Sequence, residues 1–222
     1  MQNKKRGILN NKFQKSKKKN GKAQQSQTET SHRLAKFISL FLAPPTMAIV
    51  AFIAFSLWSP IGLGSLSAPD SMLLCFLCFV LFPFFLVLYF HQRKNLDLYI
   101  SKREARTPFY LVAIISYSFA TILFWVTSTK IIFLLALGSL IVSIFLMGVN
   151  LFWKVSIHCA GVSGPIFALI CVFGINAIPL TSIVGLVGWS RLKLRNHTFK
   201  QTLAGTLISL TIVPVVFSLL YI

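Results

Sequence analysis

Apolar residues fall into seven runs after residue 36, at 37–58, 72–90, 109–127, 131–153, 155–173, 178–194 and 202–222. Each approaches the roughly 20 residues that a helix needs to cross a hydrocarbon core. Pro44-Pro45 interrupts the first run and is expected to kink it or delay its start. The sixth run is the weakest, because its apolar part ends near Trp189 and its last turn carries Arg191 and Lys193, which would have to snorkel. The expected fold is an all-α integral membrane protein, a bundle of six to seven transmembrane helices over residues 36–222.

The polar positions are as segregated as the apolar ones. Residues 1–35 are rich in Lys, Asn, Gln and Ser and nearly free of apolar side chains, so they cannot bury enough surface to offset the entropy of ordering. A disordered basic tail is expected there. It has no apolar segment followed by a small-residue cleavage site, the pattern of a secretory signal peptide. Attraction to anionic lipid is one role for such a tail, and retention of the N-terminus in the cytoplasm is the other.

Composition agrees with membrane residence: 55% of residues are hydrophobic, 21 are Phe, and mean hydropathy is +0.75. A formal net charge of +18 would by itself suggest a nucleic-acid partner. The cations, however, lie in the tail and in short connections between apolar runs, so a bilayer and not nucleic acid is the expected partner. With the N-terminus inside, every Lys and Arg except Lys130 falls on the cytoplasmic side, as the positive-inside rule requires. Two spans separate the 91–107 loop from Lys154, and two more separate Lys154 from the 190–200 loop. Three polar clusters are therefore expected at one membrane face, the cytoplasmic one.

The acids and cysteines narrow the chemistry. Glu29, Asp70, Asp97 and Glu104 are the only acids, which leaves no paired-aspartate site for a magnesium-bound diphosphate. Cys75 and Cys78 form a CxxC inside an apolar run with no second pair, so they read as buried small hydrophobes instead of metal ligands. No metal or other cofactor is expected. No charge lies deep in a span, which argues against an ion-coupled transporter.

In the first cluster, Lys102, Arg103 and Arg106 are spaced to share one helix face. The second holds Ser156 and His158 beside the small residues Gly161, Ser163 and Gly164, at a helix start whose amides favour an anion. The third reads Ser190-Arg191, then His197 and Gln201. Guanidinium groups match phosphoryl oxygens, and imidazole serves as nucleophile or proton donor, so the combination suits a lipid phosphate.

These stretches resemble the motifs of the type 2 phosphatidic acid phosphatase superfamily, in the family's order, over roughly residues 102–205. Ser190-Arg191 followed after five residues by His197 is similar to the third motif, Val155 to His158 to the second, and Ala105 to Pro108 to the end of the first. The resemblance implies metal-independent phosphoryl transfer. His197 would attack phosphorus and form a phosphohistidine, and His158 would protonate the leaving oxygen and then help activate water. Arg106, Arg191, Ser156 and Ser190 would hold the phosphate oxygens, assisted by Lys102 and Arg103.

Two positions depart from the family pattern. Tyr99 stands where the first motif has lysine, and Gln201 where the third has aspartate. The Gln201 carbonyl can orient the His197 ring but adds no charge. The expected function is a membrane lipid phosphatase or diphosphatase, on a polyprenyl phosphate or diphosphate, phosphatidate or a similar lipid. The alternative is a non-catalytic membrane protein that binds anionic headgroups through the same cations.

Overall fold

The computed structural model describes residues 27–94 and 106–221, and among them every regular element is helical. Helix α1 is Gln27–Phe41 and α2 is Pro44–Trp58, bent by 45° from it. The bend falls where expected, since neither proline can donate an amide to the preceding turn. Helix α1 begins inside the stretch expected to be disordered; residues 1–26 lie outside the described residues.

Helix α3 (Ala68–Phe76) is capped by Ser67, whose hydroxyl accepts from the Asp70 amide at 3.3 Å and donates to its carboxylate at 2.6 Å. A π-helical turn, Leu77–Leu81, joins it to α4 (Phe82–Lys94). Then follow α5 (Thr107–Val126), α6 (Lys130–Phe152), α7 (Ile157–Phe173), a 3-10 segment (Gly174–Leu180), α8 (Thr181–Lys193) and α9 (Phe199–Leu220). Cys75 and Cys78 are both buried.

Among the described residues, five helical segments are long and apolar enough to cross a membrane, or up to six with α1 and α2 taken as one bent span. The difference from seven arises at residues 157–193, which count as a single stretch of 37 residues on length and hydropathy. That stretch doubles back on itself. A straight helix would hold His158 and Arg191 about 50 Å apart, yet the Arg191 charge acts on both His158 and Cys159. Gly174, at φ +59°, makes the turn, and Val187 of α8 joins the same buried cluster as Cys159, Val162 and Ile166 of α7. The two arms match the fifth and sixth expected runs, but α8, with 13 residues, is shorter than the roughly 20 that a crossing helix needs, so the sixth run does not count as a span of its own.

Small residues allow the helices to close on one another, as is usual where lipid supplies no hydrophobic drive for association. A Cβ on Gly161 would lie 2.8 Å from the Pro44 side chain, and one on Gly205 would lie 2.5 Å from the Ser156 carbonyl oxygen. Large apolar side chains such as Phe119, Trp125 and Phe145 point outward.

The helix order gives the bundle two ends. At one, α5 hands over to α6 through a Schellman turn: Ser128 takes φ +54°, its amide donates to Trp125, and the Thr129 amide donates to Phe124. The 59–67 connection clasps this turn. The Thr127 carbonyl accepts from the amide and the hydroxyl of Ser65 at 3.1 and 2.8 Å, and Thr129 donates to the Leu63 carbonyl at 2.9 Å. Lys130 reaches the Tyr221 carbonyl at 3.2 Å, and Phe55, Phe173 and Phe217 pack below. The N-termini of α5, α7 and α9 and the C-terminus of α8 gather at the other end.

Candidate functional site

Three helix N-termini facing one region favour an anion there before any side chain is considered. Each is fixed by local chemistry. Ser156 caps α7 by accepting from the Cys159 amide at 3.3 Å. Thr198 and Gln201 form a capping box at the start of α9, and the Ser156 amide donates to the Gln201 carbonyl at 3.1 Å, tying α7 to α9.

Arg106 stands immediately before α5, 8% exposed, and its Nη1 donates to the Val155 carbonyl at 3.3 Å. Arg191, in the last turn of α8, donates from Nη1 to the Ser39 hydroxyl at 2.9 Å. Both charges act on both histidines, and both act on Lys154. Burial lowers the Arg106 guanidinium, with a small upward pull from Tyr110. The Lys154 ammonium is lowered by burial first and then by the two arginines, so positive charge dominates the field at this end.

Helix α8 ends in a second Schellman turn, with the Asn196 amide donating to Arg191 and the Arg195 amide to Leu192. Arg195 takes the left-handed position at φ +54°, where glycine is the usual choice. This turn delivers His197 into the site, 8% exposed. Its Nδ1 lies 3.2 Å from Gln201 Oε1, and the same oxygen accepts from the Thr198 amide at 3.1 Å. Because the Thr198 N–H needs an acceptor, that Gln201 atom is oxygen, and the ring must donate to it from Nδ1. The Nε2 lone pair is left unprotonated. Burial first, then Arg106, Arg191 and Lys154, push the His197 imidazole down to about 3 against a smaller pull from Gln201, so the ring is neutral at neutral pH.

His158 sits in the first turn of α7, half-buried, and its ring is hydrogen-bonded by the Ser39 backbone. The carbonyls of the last α1 turn have few in-helix donors left, because the chain breaks at residues 42–43 and prolines follow. Ser39 therefore supports both His158 and Arg191 from a helix that motif reasoning passed over. A lone polar residue ahead of Pro44-Pro45 was its only sequence signal.

Of the residues singled out in the sequence, Arg106, His158, Arg191, His197 and Gln201 are brought together, with Lys154 beside them. Ser156 and Ser190 are fully buried next to them, but their hydroxyls serve their own helices: Ser156 as the α7 cap, Ser190 by donating to the Val187 carbonyl at 2.8 Å. Lys102, Arg103 and Tyr99 lie outside the described residues. No group of His, Cys, Asp and Glu suited to a metal ion occurs among the described residues.

His158 also lines a cavity of about 490 Å³ between α2, α4, α5, α6 and α7, with a wall that is mostly apolar. On α5 the lining runs from Phe109 to Tyr117 and on α6 from Leu135 to Leu146, a depth of about 12 to 16 Å. That is close to one leaflet of a hydrocarbon core about 30 Å thick. Comparison with known proteins finds no matching family model, no similar curated protein and no similar solved structure.

Proposed function

We propose that the chain is a membrane phosphatase or diphosphatase acting on a lipid phosphate, with His197 as nucleophile and His158 as proton donor. The observation that carries this reading is the pair of guanidinium groups, Arg106 just before α5 and Arg191 in the last turn of α8, whose charges reach both imidazoles. The motif resemblance supports the same assignment.

In the proposed reaction the phosphate of the lipid lies between the two arginines and Lys154, with its chain in the apolar cavity. The Nε2 lone pair of His197 attacks phosphorus while the bond to the lipid oxygen breaks, and that oxygen takes a proton from the protonated His158 ring. The negative charge of the bound phosphate supplies the counter-charge that lets His158 carry this proton among cations. Water then attacks phosphorus, the P–N bond breaks, and His158 accepts the water proton. The arginines match the charge spread over the non-bridging oxygens, the dominant catalytic contribution in phosphoryl transfer. Gln201 holds the His197 ring in the tautomer that attack requires.

Phosphate release from a panel of lipid phosphates in detergent, with EDTA present, tests the reading. Turnover that survives EDTA and is lost in both His197→Ala and His158→Ala supports it. Unchanged release in His197→Ala defeats the site assignment. Binding of lipid phosphates without any release favours the headgroup-binding alternative.

A further inference from the structure

Helix α1 has three different faces, and only one of them meets the bundle. At about 100° per residue, Ala35 and Ser39 lie on one side, and both are buried. Leu34, Phe37 and Phe41 share an outward arc of about 60°. Phe37 and Phe41 are each 63% exposed there and stack at 5.7 Å. Arg33 and Lys36 are exposed beside that arc, with Leu40 beyond them toward the bend.

The tryptophans give the depth of this helix. Trp58 and Trp125 are exposed at the end held by the 59–67 connection, and Trp153 and Trp189 at the cationic end. Such residues favour the two membrane–water interfaces. Ser39 bonds Arg191, two residues after Trp189, so the end of α1 is held at the level of the second pair. An apolar arc flanked by cations at that level meets hydrocarbon on one side and lipid headgroups on the other. Charge selects acidic headgroups. Helix α1 has Glu29 as its one acid against Arg33 and Lys36, and Lys17, Lys18, Lys19 and Lys22 precede it in the sequence.

The buried face connects this surface to the chemistry. The Ser39 hydroxyl accepts from Arg191 at 2.9 Å, and the Ser39 backbone bonds the His158 ring. A lipid surface that favours one position of α1 therefore favours one placement of both groups.

We propose that α1 docks on the acidic lipid surface beside the bundle, with Phe37 and Phe41 in hydrocarbon and Arg33 and Lys36 among headgroups, and that docking raises turnover through Ser39 as a positioning residue. The effect on turnover rests on the phosphatase reading, whereas the docking does not.

The experiment places the full chain in nanodiscs of phosphatidylcholine, with or without phosphatidylserine, at one dilute level of lipid phosphate. Phosphate release and amide hydrogen exchange over residues 33–41 are followed together. In the wild type, phosphatidylserine is expected to slow that exchange and to raise kcat/KM by at least about threefold. Competition by an acidic lipid for the phosphate site would instead lower kcat/KM. Each cation strengthens attachment to an acidic surface about fivefold, so Arg33→Gln combined with Lys36→Gln abolishes both responses and leaves release in pure phosphatidylcholine unchanged. Ser39→Ala, which removes the Arg191 bond and keeps the backbone, retains the slowed exchange and narrows the rise in turnover. Exchange that ignores phosphatidylserine in the wild type, or a full response in the double variant, overturns the docking. A full rise in Ser39→Ala overturns the coupling. Slowed exchange with no hydrolysis in any membrane overturns the phosphatase reading and leaves the docking standing.

Discussion

The two Schellman turns of this bundle have the same backbone and opposite surroundings. After Ser128, the chain enters a neutral clasp in which Ser65, Thr127, Thr129 and the Leu63 carbonyl satisfy one another. After Arg195, it enters a region where Arg106, Lys154 and Arg191 oppose the charging of His197. One end uses its polar groups to close the fold, and the other holds like charges together. The contrast separates residues whose loss should lower stability from those whose loss should lower turnover.

The largest expected effect is at the cationic end. Arg191→Gln should reduce phosphate release by about 10²- to 10³-fold, the usual loss when one preorganised charge donor is removed, while the melting temperature stays level or rises as a like charge leaves Arg106 and Lys154. A melting temperature that falls in step with activity would erase the distinction between the ends.

Gly64→Ala tests the clasp. Gly64 sits at φ +62° with the Ser128 carbonyl directly against the position a Cβ would take, so the substitution should cost about 2 to 3 kcal/mol of stability. Turnover per folded molecule should be unchanged, as measured by denaturation alongside specific activity.

Acidification sharpens the comparison. His197 is pushed down to about 3, below its ordinary value of 6.5, so the unfolded chain binds its proton first. Its contribution to stability is fully present above about pH 6.5 and is lost as pH falls toward 3. Melting curves from pH 7 to 4 should show this loss reduced in His197→Ala. Sulfate, a dianion across that range, should bind more tightly as pH falls.

Smaller effects are expected from Gln201→Glu, which preserves the capping box and adds charge beside the imidazole. Turnover should change by no more than about tenfold, with the acid limb of kcat/KM moving to higher pH because the carboxylate raises the His197 pKa. Smallest are Ser128→Gly and Arg195→Gly, each expected to stabilise by about 0.5 to 1 kcal/mol by relieving a left-handed non-glycine residue. A gain at one turn only would show that the two are not equivalent in backbone strain.

What could be read from the sequence was local. Run lengths located the helices at 107–126, 130–152 and 199–220 to within a few residues of their observed ends, because a continuous apolar run and its helix share boundaries. The break at Pro44-Pro45 and the His197 to Gln201 contact were equally accessible, since both follow from spacing within one turn. The hydroxyls of Ser156 and Ser190 were not, because a serine near a helix end competes between its own backbone and a ligand, and here the backbone holds them. The part played by Ser39 depends on which helices meet, which spacing along one chain does not reveal.

The break between α1 and α2 has a mechanical consequence. Ser39, which supports His158 and Arg191, lies about 7 Å along the axis from Pro44. It acts as the tip of a short lever whose fulcrum is the proline pair. A tilt of α1 by about 10° would displace that tip by about 1 Å, enough to carry a hydrogen bond out of its working range. The placement of the imidazole and the guanidinium therefore depends in part on how firmly α1 is held, and anything that clamps α1 also clamps the site.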